Sequence, residues 1–70
     1  MADTVAKLKH LLPHWVEHNA SHLESFRQWQ QRARDQGLDT IADALGETVD
    51  AARQADAALR RATAAVAEAE

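Results

Sequence analysis

The chain has 70 residues, no cysteine, and a formal net charge of −3 with its four histidines neutral. So short a chain forms one domain with a thin core, and without cysteine neither disulfides nor thiolate-held zinc or iron–sulfur centres can reinforce it. Its eight Lys and Arg are interleaved with eleven Asp and Glu, the pattern of a solvated surface and not the basic stripe that nucleic acid selects.

The opening segment, MADTVAKLKHLLPHW, lacks the long apolar region and small-residue cleavage site of a signal peptide. No stretch approaches the ~20 apolar residues that span a bilayer, so no membrane contact is expected. These features predict a soluble, cytoplasmic protein. Abundant Ala, and more Arg than Lys, point to a GC-rich bacterial genome.

Ala, Leu, Glu, Gln and Arg dominate, while Gly occurs only at 37 and 46 and Pro only at 13. That composition favours helix. The spacing predicts a first helical arm over about 4–35, a turn over about 36–39 and a second helix over about 40–69, one helical-hairpin domain covering 1–70. In the first arm Leu8, Leu12, Trp15, Asn19, His22, Phe26, Trp29 and Ala33 follow alternating steps of four and three, a heptad-like seam. The seam passes through Pro13, so the arm is expected to kink there or to break at Leu12.

Gly37 suits the left-handed position just past a helix end, with Leu38 the apolar residue that follows. Asp39 or Thr40 is expected to cap the next helix, Thr40 with Asp43 as a capping box. A turn this short makes the two helices antiparallel neighbours. The second helix carries its own seam: Ile41, Leu45, Thr48, Ala52, Ala55, Leu59, Ala62, Val66 and Ala69. Leu11, Val16, Leu23, Ala42 and Val49 lie off the two seams and give each helix a second apolar edge. The expected architecture is therefore all-α, a long antiparallel hairpin that assembles as a homodimer or higher homo-oligomer into a four-helix-type bundle. Gly46 is expected near Trp29, where it makes room for the indole.

The segment HWVEHNASH, with His10 before it, sets His10, His14, His18 and His22 four residues apart. Each such step turns ~40° and rises ~6 Å along a helix, so neighbours in the row can share an ion and more distant members cannot. An i, i+4 pair of imidazoles is a natural two-ligand clamp for a zinc-like ion. His18 and His22 form the preferred pair, His14 with His18 the second, and His10 is expected to be a surface residue.

Asn19 and His22 fall on seam positions, where polar groups must find partners. Folding about Gly37 sets His22 opposite Ala52 or Arg53, Asn19 opposite Ala55 and Asp56, and Trp15 opposite Leu59. Asp56 is then placed to complete a coordination sphere or orient an imidazole. Glu17 lies ~100° round the helix from His18 and would serve a partner chain more readily. Trp15, Phe26 and Trp29 read as packing anchors. Neither an HExxH nor a Glu-x-x-His motif is present, and no nucleophile with its base can be made out. Binding or delivery is expected in place of catalysis.

The segment LLPHWVEHNASHLESFRQW resembles short, mostly uncharacterised prokaryotic helical domains that carry LLPHW-x-EHN-x-x-H, with the likeness extending more loosely over the DQGL turn and the Ala-rich helix. The matching positions are His14, Trp15, Glu17, His18, Asn19 and His22. The resemblance implies an association with proteins that handle transition metals. Together these readings predict a small metal-binding helical protein with His18, His22, His14, Asn19, Asp56 and Glu17 as candidate ligands for zinc, nickel, copper or cobalt. The alternative is a metal-free protein-interaction module in which buried Asn and His fix register or sense pH.

Overall fold

The structure, a computed structural model, describes residues 2–69. Two helices, α1 (Ala2–Asp35) and α2 (Asp39–Glu68), fold back on one another as a hairpin. At 1.5 Å per residue the 34 residues of α1 span ~51 Å. The whole molecule measures 52 × 14 × 13 Å, so its length is that of a single helix and its cross-section that of a pair. The helix runs unbroken through Pro13, so the expected break at Leu12 does not occur.

The turn closes as the sequence suggests. Gly37 has φ +75°, a left-handed conformation that glycine adopts without a Cβ clash. The Leu38 amide donates to the Ala33 carbonyl at 2.8 Å, and the Gly37 amide donates to the Arg34 carbonyl at 3.1 Å. This is the Schellman pairing, which satisfies carbonyls the helix end leaves open. The start of α2 differs from expectation: Leu38 occupies the N-cap position and no side chain caps the helix, so the Thr40–Asp43 capping box is not formed. Arg34 ties the turn instead. Its guanidinium donates to Asp43 at 2.9 Å and to Asp39 at 3.3 Å, linking the end of α1 to the first turn of α2. The hydrogen bond to Asp43, more than any other contact, raises the guanidinium's pKa.

The shared interface is thin. Among the described residues only Leu12, Ala33, Ala42, Val49 and Ala52 are buried, and Leu12 is the largest of them. Val16, Leu23, Phe26, Leu45, Leu59 and Val66 are half-buried. Most of each expected seam faces the other helix and the rest does not. Leu8, Leu12, Asn19, Phe26 and Ala33 turn inward, as do Leu45, Ala52, Leu59 and Val66; Trp15, His22, Trp29, Ile41 and Ala55 are exposed. Val16, Leu23, Ala42 and Val49, expected on a second edge, take the inward places. The pattern is a stripe broader than one neighbouring helix can cover.

Candidate metal centre

α1 positions the histidines. Its 3.6-residue repeat sets His18 and His22 one above the other on an outer face, with their rings meeting at the surface. The Nε2 atoms of the two rings are 2.7 Å apart, and the ring centroids are 4.5 Å apart. A hydrogen bond at that distance needs one Nε2 to carry a proton and the other to accept it. A tetrahedral zinc ion bound at ~2.0–2.1 Å by two imidazoles separates their nitrogens by ~3.3–3.4 Å. A small side-chain rotation makes that change, and the donor ring then carries its hydrogen on Nδ1. His22 also stacks on Phe26, with centroids 5.8 Å apart and planes 13° from parallel, which steadies the ring from below.

His14, Glu17, His18, Ser21 and His22 line a shallow depression of about 340 Å³ on the outer side of α1. His14 and Glu17 thus lie in the neighbourhood of the pair. The other two candidates point elsewhere. The Asn19 side-chain amide donates to the Ala52 carbonyl at 3.0 Å, crossing from α1 to α2. Its partner is about one turn nearer Gly37 than the Ala55–Asp56 layer that simple folding predicts. Asn19 therefore spends its amide on the register of the hairpin.

Asp56 accepts from Arg60 Nε at 2.9 Å through one oxygen, and its other oxygen is buried without a hydrogen-bond partner. The carboxylate sits at the α1–α2 interface, while the imidazole pair is exposed. Among the described residues no three His, Asp or Glu side chains converge as one ligand set. A single chain supplies two imidazoles that meet and a surrounding shallow surface. His22 is not buried between the helices as its seam position suggested, and the signal that could have placed it is the match of its spacing to Trp15, His18 and Trp29 instead of to Asn19.

That strip is the second feature of the site. Leu11, Trp15, His18, His22 and Trp29 follow one another along one face of α1 at helical spacings. Trp29 shares a small hollow with Leu38, Ile41 and Leu45, so α2 contributes to the same side. Among the described residues the five exposed large hydrophobics all lie there: Leu11, Trp15 (42% exposed), Trp29 (57%), Leu38 and Ile41 (53%). The guanidinium of Arg32 stands 4.8 Å from the Trp29 ring centroid. The opposite side is polar toward the turn, with Gln30, Arg34, Asp43, Asp50 and Arg53 around a broad hollow of about 710 Å³, while Pro13, Val16, Thr63, Ala64 and Ala67 line a more apolar hollow farther from the turn. Gly46 faces that side; a Cβ there would meet Gln30 Nε2 at 2.9 Å. The expected Gly46–Trp29 contact is replaced by one with Gln30.

Fold and site together define a two-helix antiparallel hairpin with an imidazole pair on an apolar outer strip. The chain belongs to the family described as a domain of unknown function, DUF8180, whose model matches residues 8–66. The match includes the histidine row and both helices. No curated protein and no solved structure matches the chain. No helix among the described residues is long and apolar enough to cross a membrane.

Proposed function

We propose that this protein binds a divalent transition-metal ion through the Nε2 atoms of His18 and His22, and that it acts in binding or delivery and not in catalysis. The observation that supports this is the meeting of the two nitrogens at 2.7 Å on an exposed face. Two imidazoles brought nose to nose gain little as a surface hydrogen bond between neutral rings. They form a two-ligand clamp without backbone rearrangement, which lowers the ordering cost of binding. Imidazole nitrogen suits zinc, copper, nickel and cobalt, with geometry selecting among them. His14 and Glu17, at the margin of the pair, are the side chains able to bind a water or a partner group beside the ion. Asn19 and Asp56, engaged elsewhere, are outside the coordination set.

The test is the melting temperature of chelator-stripped protein with and without one equivalent of Zn²⁺, Ni²⁺, Co²⁺ or Cu²⁺, repeated on His18→Ala/His22→Ala. An ion present at ~100-fold over its dissociation constant adds ~2.7 kcal/mol to the native state, a clear shift for so small a domain. The shift should vanish in the double variant. No shift with any ion in the parent chain sinks the reading. The apolar strip favours a second reading, a metal-free helical interaction module, and in that case chelation leaves both melting and partner binding unchanged.

A further inference from the structure

The imidazole pair offers two of the four ligands that zinc takes, and the strip that carries it has residues placed symmetrically about the pair. His18 and His22 are centred on position 20. Leu11 and Trp29, two of the large exposed apolar residues of α1, lie nine positions to either side of that centre. A two-fold axis through the centre, perpendicular to α1, sets two copies of the helix antiparallel. It brings Leu11 of each chain to Trp29 of the other, and His18 of each to His22 of the other. Such an interface is isologous: the same patch meets itself. Trp15 then falls opposite Ser25, a small residue that leaves space for an indole.

We infer that one metal ion sits on this axis, held by His18 and His22 from each of two chains, and that the ion and the apolar strips together close a homodimer. The inference rests on the clamp proposed above. Three observations point to a second copy as the occupant. Each chain offers two convergent imidazoles where zinc takes four ligands. Leu11 and Trp29 flank the pair symmetrically in sequence, which a site built for an unrelated protein does not require. The hairpin also buries only five side chains among those described, so it gains from covering Trp15, Trp29, Leu38 and Ile41. Four neutral imidazoles in a tetrahedral array suit zinc or cobalt(II), neither of which demands a planar set. Metal binding and assembly become linked: each ion strengthens the dimer, and the dimer strengthens the site.

The experiment titrates the stripped full chain with Zn²⁺ alone while mass is followed by sedimentation or light scattering. Binding that saturates at about half an equivalent per chain, with a dimer forming or tightening in step, is the expected result. Saturation at one equivalent on a monomer overturns the shared site while leaving the clamp intact; no binding at all overturns both. The register has its own test. Leu11→Glu should weaken the zinc-loaded dimer at least tenfold, and Leu11→Glu/Trp29→Arg should recover most of the loss, since the axis sets each new carboxylate against a new guanidinium of the other chain. Equal weakening in both variants, each still helical by circular dichroism, overturns the antiparallel arrangement.

Discussion

The two long sides of this hairpin are built from the same helices and are unlike in chemistry. One carries Leu11, Trp15, Trp29, Leu38 and Ile41 around an imidazole pair. The other carries Arg34, Asp43, Asp50 and Arg53 around a polar hollow. Exposed apolar residues scattered singly need no explanation, but gathered on one side they form the surface on which the proposed dimer would close. The charged side holds its groups near the turn where water solvates them. The contrast teaches that the hairpin's core is not finished by its own two helices. The inner interface, with Leu12 its largest buried side chain, lies between a side that is satisfied by water and one that is not.

The contrast can be broken at several strengths. Leu12→Ala attacks the interface on which both sides depend. Buried leucine truncations cost ~2–5 kcal/mol, and in a core of five residues this is expected to unfold the metal-free chain at ambient temperature, as circular dichroism would report. The sides themselves separate next. Trp29→Glu should reduce self-association at least tenfold, ~1.4 kcal/mol, whereas Asp50→Lys on the opposite side should leave it within about twofold. Equal effects in sedimentation would erase the distinction between the sides.

Asn19→Ala removes the bond to the Ala52 carbonyl and should cost ~1 kcal/mol in urea unfolding, with metal stoichiometry unchanged. A change in stoichiometry would return Asn19 to the ligand set. Gly46→Ala tests the polar side with the opposite sign. The new methyl meets only the mobile end of Gln30, so the gain in helix propensity should win by up to ~1 kcal/mol. The smallest effect belongs to Arg34→Ala at the exposed turn. Its guanidinium has a raised pKa, so its charge is fully present below the ordinary arginine range and is lost only at still higher alkalinity. Salt is therefore the better probe than alkali, and the small fall in melting temperature should shrink as ionic strength rises.

Much of this was legible from the residues. Gly37 followed by Leu38 marked the turn, because only a residue without a Cβ takes the left-handed conformation freely and because the next apolar residue packs back on the helix. The spacing of His18 and His22 gave the meeting of their rings, since four residues is about one turn. Other features were not legible. Arg34 reads as one more solvated charge until the turn brings Asp39 and Asp43 within its reach. A capping box at Thr40 is plausible in isolation and is absent because the N-cap is Leu38, two residues earlier, which puts Thr40 inside the first turn. Pro13 lies within α1, where neither its missing amide hydrogen nor its ring ends the helix.

The sequence by itself determined two long helices, their antiparallel return at Gly37 and the pairing of His18 with His22. Each of these is local, fixed by propensity, by one φ angle or by a single helical turn. Only the tertiary structure decided which edge of the apolar stripe each helix turns inward. The stripe on α1 runs from Val16 and Leu23 across Leu12 and Phe26 to Trp15 and Trp29, and periodicity alone has no preference among its edges. One neighbouring helix covers part of it. Packing turned the Val16–Leu23 edge of α1 inward and so left the tryptophans and the imidazole pair facing outward.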